Sequence, residues 1–196
     1  LYQLAKARVL GLGYGCGPAQ FVRVAKILAG LEISLDEAKR IVADFRRNNP
    51  ATVALWGQLE ERFRADAEAG ADMHTIALPS GRWLRYFQPD LDSRGQVVAS
   101  VVRGPNAPKL RWHGPKLTEN LVQATARDVF ASALLRIHDR GAAILWTVHD
   151  EVIVEARKEE EEAVKALVLE ELRRTPAWMP GLPLEAEGET MEAYRK

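Results

Sequence analysis

The chain has 196 residues, 47% of them hydrophobic, with 27 Lys/Arg against 27 Asp/Glu and one cysteine. This is enough for one large domain or two small ones, with an ordinary globular composition, and a lone cysteine excludes an internal disulfide framework. No run approaches the ~18 apolar residues of a membrane span and no signal peptide is visible, so no membrane is expected as a partner and Cys16 fits a reducing, cytoplasmic compartment.

The zero net charge hides an uneven distribution. Residues 1–64 carry ten Lys/Arg against six Asp/Glu, and residues 74–140 carry ten against five. From 158 to 192 the balance reverses, with ten glutamates against four cations. Most of the chain can therefore face a polyanion, although solvated helix faces give the same counts. The Glu159–Glu162 run reads as a solvated helix start. The chain begins without methionine inside a helical pattern, and is expected to be a piece of something longer.

The first ~70 residues read as helical. Residues 2–12 form a short helix. Pro18 opens a second, closed by Gly30, with Phe21, Val24, Ala25 and Leu28 at helical spacing. Ser34 with Glu37 makes a capping box for a third helix, to about Asn49. Pro50 starts a fourth, to about Gly70. The pattern then changes. Residues 74–87 read as two strands around a turn at Pro79–Gly81, and residues 96–104 as a β-branched strand. A long helix is predicted from Leu117 to about Arg140, with Gly141 as its C-cap. Strands at 143–148 and 151–156 follow, then a helix from Glu159 to about Arg174. The run "LEAEGE" at 184–189 is expected to form a final strand. The order is that of an α+β fold.

The stretch "VLGLGYGCG" at 9–17 has glycine at every second position. A dinucleotide-binding turn needs G-x-G-x-x-G between a strand and a helix. Here the position after Gly11 and Gly13 that should hold the third glycine is Cys16, and the preceding "LAKARVL" is a helix former. An oxidoreductase reading would require a strand at 3–11. Read as a helix, Lys6, Leu10 and Tyr14 lie four apart on one face, while Gly13 and Gly15 leave the wall beside Tyr14 bare. Such a face can grip a phosphate and stack on a base. A core tyrosine at a glycine-rich helix terminus gives the same pattern.

In "TVHDEVIVE" two apolar strands are joined by His149-Asp150 alone. Two-residue turns favour Gly or Asn because positive φ is required there, so His-Asp points to a turn kept for its side chains. Asp150, with Glu151 beside it, stands at the end of a rigid strand. Mg²⁺ takes one or two carboxylates together with substrate phosphates. A surface turn with solvated charges is the alternative. A phosphohydrolase built on His149-Asp150 would need further ligands, and His74, His113 and His138 lack the spacing.

In this order and separation, three stretches resemble the family A DNA polymerases. "KARVLGLGYG" at 6–15 resembles motif B on the O helix of the fingers. "LTENLVQATARDVF" at 117–130 resembles the palm helix that contacts primer–template, and "VHDEV" at 148–152 resembles motif C. "RWHGPKLTENLVQATARD" and "GLPLEAEG" look like phage-encoded members. The resemblance implies helical fingers over 1–70, including the O helix, and a C-terminal palm over 71–196. The palm would hold a small antiparallel sheet packed on helices, with the motif C hairpin at 143–156.

It also implies roles. Lys6 would contact the β- and γ-phosphates of the incoming dNTP. Leu10 and Tyr14 would lie on the nucleotide- and template-binding face, and Gly15 would let the template backbone pass close. Gln123 and Arg127 would contact primer–template DNA, and His149 the primer terminus or triphosphate. Asp150 would bind metal, supported by Glu151, as one of two aspartates holding two Mg²⁺ ions in the complete enzyme. Two departures from the family pattern are Tyr2, where an arginine is usual, and Leu10, where an aromatic is usual. The D-x-x-x-x-E-x-R pattern of motif A, which carries the other aspartate, does not occur here. The expected partners are therefore primer–template DNA, dNTP and the remaining thumb and motif A palm of a phage or prophage polymerase in a bacterial cytoplasm, with the fragment inactive alone. A non-catalytic nucleic-acid-binding module of polymerase descent is the alternative.

Overall fold

The computed structural model describes residues 5, 8–9, 11–104 and 106–194. It is α+β, with helices first and strands from Met73 onward, as the pattern implies. Two compact units divide it: Leu1–Ala77 with Trp83–Val122, and Leu78–Arg82 with Gln123–Lys196.

In the first unit, residues 8–9 and 11–12 are helical. Helix α1 (Pro18–Ala29) starts at Pro18, whose ring presets φ and whose missing N–H costs nothing in a first turn; Gly30 ends it at φ +64°. Helix α2 (Leu35–Asn48) is capped as expected, the Ser34 hydroxyl accepting the Glu37 N–H at 3.1 Å. Helix α3 (Pro50–Glu68) again opens on proline. Leu12, Cys16, Phe21, Ala38 and Val42 form one apolar cluster. Burial pushes the Cys16 thiol up, which leaves it poorly nucleophilic.

Helix α3 packs on an antiparallel meander of β1 (Met73–Ala77), β2 (Trp83–Leu91), β3 (Val97–Ser100) and β4 (Leu110–Arg111). Leu59, Phe63 and Ala67 meet Ile76, Tyr86, Val97, Ala99, Trp112 and Leu117 in a second core. Phe63 is wholly buried, which contributes roughly 2–3 kcal/mol from its side chain alone. It stacks on His74 at 4.2 Å between centroids, and His74 Nδ1 lies 2.7 Å from the Asp66 carboxylate. In this core the Trp112 indole donates to the Ala99 carbonyl at 3.1 Å and the Tyr86 hydroxyl accepts from Asn120 at 3.1 Å, whereas His74 Nε2 is buried with no hydrogen-bond partner among the described residues.

Helix α4 (Gly114–Asp139) begins in the first unit and continues in the second. The second unit also holds the hairpin of β5 (Ala143–Val148) and β6 (Glu151–Glu155), a 3₁₀ turn at Lys158–Glu160 and helix α5 (Glu161–Arg173). Gly141 closes α4 at φ +86°, its N–H bonding to His138 and that of Ala142 to Ile137, a left-handed cap of the Schellman type. Asp128 on α4 accepts from Arg82 Nε at 2.8 Å and from the Ser80 hydroxyl, which explains why that turn groups with this unit.

Glu171 on α5 is 3% exposed, and Arg136 and Arg140 of α4 hold it, their nitrogens 2.8 and 3.0 Å from its oxygens. The Arg136 hydrogen bond, more than the other contacts, keeps its carboxyl below the usual range. Arg136→Ala removes a charged hydrogen bond from a buried carboxylate that still keeps Arg140, so it should cost about 1.5–3 kcal/mol in a urea titration. A lowered folded pKa gives stability that is full above the unfolded value, near ~4.3, and is lost as pH falls through the lower folded value. Glu171→Gln should remove that component from the acid limb of a stability–pH profile; an unchanged limb would sink the assignment.

Four expectations fail locally. Strand β3 ends at Ser100 rather than 104, because the Ser100 hydroxyl takes the Val102 N–H and turns the chain, leaving Val101 and Val102 exposed. Strand β2 runs on to Leu91, past a bulge between Phe87 and Asp90. Helix α4 starts at Gly114, not Leu117, because its first N–H is satisfied from far away, by the Glu60 carboxylate at 2.9 Å. Residues 184–189 form no strand. Arg173 donates to the Ala186 carbonyl and Gly188 packs on Leu169, so the segment is tied to α5 and makes no ladder.

Candidate functional site

Lys6 and Leu10, like Tyr2, lie outside the described residues. The glycine stretch is resolved by its end. Gly15 has φ +75°; its N–H bonds to the Leu12 carbonyl at 3.0 Å and the Cys16 N–H bonds to Gly11 at 3.2 Å. That is a Schellman terminus with Gly15 at the left-handed position. A side chain here would also collide with Pro115 in the first turn of α4, at 2.3 Å from its Cγ. Gly15 is thus required by this chain's own packing, whatever else approaches it. Tyr14 beside it is half-buried.

Gln123 and Arg127 lie one turn apart on α4, on one face, and both are exposed. Arg127 sits over the Phe130 ring at 5.5 Å, which restrains the guanidinium without neutralising it.

The hairpin has the expected form. Val148 pairs with Glu151, so His149 and Asp150 alone make the loop, and a shift in register between Ile144 and Trp146 bulges β5. His149 adopts φ +55°, one of two non-glycine residues at positive φ among the described residues. This is the left-handed region that two-residue turns require and that Gly or Asn usually fills. Asp150 and Glu151 are exposed and adjacent. The Tyr194 hydroxyl approaches Glu151 at 3.4 Å; desolvation first, then that carboxylate, push the phenol up. Trp146 meets the Tyr194 ring edge-on at 5.8 Å. Asp150 is left with no hydrogen bond or ion pair among the described residues. These are hard oxygen donors on strand ends, the chemistry Mg²⁺ takes. No group of three His, Cys, Asp or Glu that could hold a metal occurs among the described residues, so any such ion would need donors beyond Asp150 and Glu151.

The structure therefore brings Tyr14 and Gly15 together in one unit, and His149, Asp150 and Glu151 together in the other, which also carries Gln123 and Arg127. Sequence reasoning missed Glu60, the acidic cap of α4, and Pro115, the neighbour of Gly15. Neither has a local signal, since their partners lie 54 and 100 positions away.

No family model matches the chain. The fold aligns with the POL domain of Pol1 from M. smegmatis, solved in complex with DNA primer-template and dNTP, at a TM-score of 0.58 and 22% identity over 92% of this chain and 28% of that one. The chain thus shares the fold of part of that polymerase domain. In sequence the chain is 31% identical to the DNA polymerase of Bacillus phage SP02, over 100% of its own length and 33% of the relative's. It is 34% identical to the thermostable DNA polymerase I of Thermus thermophilus over 80% of the chain and 17% of the relative, and 27% identical to DNA polymerase I of Aquifex aeolicus over 99% and 30%. Over its whole length the chain is similar to phage and bacterial DNA polymerases, in line with the resemblance of its motifs to family A. It spans a third or less of the length of these relatives. No helix among the described residues is long and apolar enough to cross a membrane.

Proposed function

We propose that the chain is the fingers (1–70) and C-terminal palm (71–196) part of a DNA-directed DNA polymerase. Such an enzyme transfers a nucleotide from dNTP to a primer 3′-OH under template direction. The observation that carries this reading is the hairpin tip, where two adjacent exposed carboxylates follow a positive-φ histidine in a two-residue loop. Asp150 would hold Mg²⁺ with Glu151 in support, and the remaining donors would come from the motif A aspartate and the triphosphate. When bound, the two ions of the complete enzyme supply Lewis-acid activation of the primer hydroxyl and charge neutralisation on the leaving pyrophosphate. This chain's residues do the rest. Lys6 grips the β- and γ-phosphates, Leu10 and Tyr14 line the nascent pair, and Gly15 leaves room for the template. His149 approaches the primer terminus or triphosphate, and Gln123 and Arg127 hold the duplex. The site of action is the cytoplasm of a bacterial host, with the gene carried by a phage or prophage.

The test is primer extension alongside a gel shift with primer–template DNA. A full-length protein containing these residues should extend the primer with Mg²⁺, and the 196 residues alone should not. Arg127→Ala should weaken duplex binding and flatten its dependence on salt by about one unit in the log–log slope. Duplex binding without extension by the full-length protein would favour the non-catalytic module instead.

A further inference from the structure

A cavity of about 360 Å³ in the first unit is lined by Glu60, Arg64, Arg94, Arg111, Trp112 and His113, among others. None of these residues carries a role implied by the family motifs. Three guanidiniums face one carboxylate, and that carboxylate is already engaged, Glu60 accepting the Gly114 N–H. Arg111 Nε pairs with Asp92 at 3.1 Å, and Arg64 donates to the Gly95 carbonyl at 3.0 Å while lying 3.9 Å from Glu68. The guanidinium of Arg94 and the ring of exposed His113 make no hydrogen bond or ion pair among the described residues.

The turn that carries Arg94 is built to hold still. The Asp92 carboxylate accepts the N–H groups of Arg94 at 2.8 Å and Gln96 at 3.0 Å, the Gly95 N–H bonds back to Asp92, and Gly95 takes φ +68°. Those backbone hydrogen bonds hold the Asp92 carboxyl below the usual range. Arg64 anchors the same turn to α3. A rigid turn that presents an unpaired arginine into a cavity walled by two more is the pre-organised arrangement that oxyanion recognition uses, because little is left to order on binding.

We propose that this cavity binds phosphate, and that the phosphate is a phosphodiester of a nucleic-acid strand. The cavity is much larger than one phosphate group and leaves room for the flanking sugars. The anion site stands on this unit alone, whereas the choice of a nucleic-acid strand rests on the polymerase reading. Contacts to backbone phosphates position a strand without reading its bases, so binding here is indifferent to sequence.

The test is NMR of the 196-residue chain, following the amides of residues 94–96 and the His113 ring. A dT12 oligonucleotide is titrated in one arm and inorganic pyrophosphate in the other, at matched ionic strength. Saturable shifts at these positions with dT12 are expected. Arg94→Ala should weaken them on the order of tenfold, since one charged hydrogen bond is lost. Arg94→Lys should restore part of the affinity. The Arg94 guanidinium makes no hydrogen bond or ion pair among the described residues, so the alanine variant should melt with the parent chain. Equal affinity in Arg94→Ala, or no saturable shift with either probe, overturns the site. Saturation by pyrophosphate with no response to dT12 overturns the assignment to a nucleic-acid strand. A full-length protein that extends primers while residues 94–96 stay silent overturns this proposal and leaves the polymerase reading intact.

Discussion

Under the polymerase reading, Asp150→Asn in a full-length protein containing these residues should lower kcat for primer extension by at least about a hundredfold while leaving the protein as stable as before. The substitution keeps the shape of the side chain and removes its charge. Mg²⁺ is a hard cation that depends on anionic oxygen, and an amide oxygen at the same place is a much weaker donor. Changing a residue that merely orients a metal ligand commonly costs 10–100-fold, so loss of a direct ligand should cost no less. Stability separates cause from artefact. Asp150 is exposed and unpartnered among the described residues, and surface substitutions of that kind stay within about 0.5 kcal/mol. Primer–template affinity should also hold, because the duplex contacts proposed for Gln123 and Arg127 lie on α4, a different element. A variant that extends primers at the parent rate would end the assignment of residue 150 as a metal ligand.

The two-residue hairpin that exposes Asp150 was legible in the sequence because everything that forms it is local. A two-residue loop between strands requires an unusual φ, and the structure puts it on His149. The same holds for α1, α2 and α3, whose starts are written in Pro18, in Ser34 with Glu37, and in Pro50. What was not legible depends on partners far along the chain. Propensity made residues 96–104 one strand, since β-branched residues suit a pleated surface, but β3 finds only the two residues of β4 to pair with beyond β2. The helix was expected from Leu117 because no acceptor for a start at Gly114 lies nearby; it is Glu60, on another helix. The "LEAEGE" segment alternates as a strand should, but a strand also needs a neighbour. The candidate site divides along the same line. Its motifs could be read from spacing, whereas the reason for Gly15 is a proline 100 positions later.

That long-range constraint is strongest at Gly114, and Gly114→Ala should cost about 3 kcal/mol or more. A Cβ on Gly114 would lie 2.0 Å from the Trp56 carbonyl oxygen and 2.5 Å from its carbon. These are backbone atoms inside α3, held by the helix ladder, so no rotamer change can relieve the overlap. Overpacking in well-packed sites costs about 1–3 kcal/mol where side chains can adjust, and here they cannot. Retreat of residue 114 would also break its N–H bond to Glu60, leaving a half-buried donor unmatched at a helix N-terminus. Gly57 supplies the control. It lies one residue on from Trp56 in the same helix, with nothing within 4 Å of a would-be Cβ, so Gly57→Ala should stabilise by about 0.5–1 kcal/mol. Opposite signs for two Gly→Ala changes in urea titrations would show that contact, and not helix propensity, governs this point. Equal midpoints for the parent chain and Gly114→Ala would mean that α3 and the start of α4 are not in contact as described. The pairing matters for function because Gly15 closes on the adjacent Pro115, so the terminus of the glycine-rich helix and the first turn of α4 are registered on the same two residues. A shift at Gly114 would therefore displace Tyr14 and Gly15 together, and under the polymerase reading should lower nucleotide affinity as well as stability.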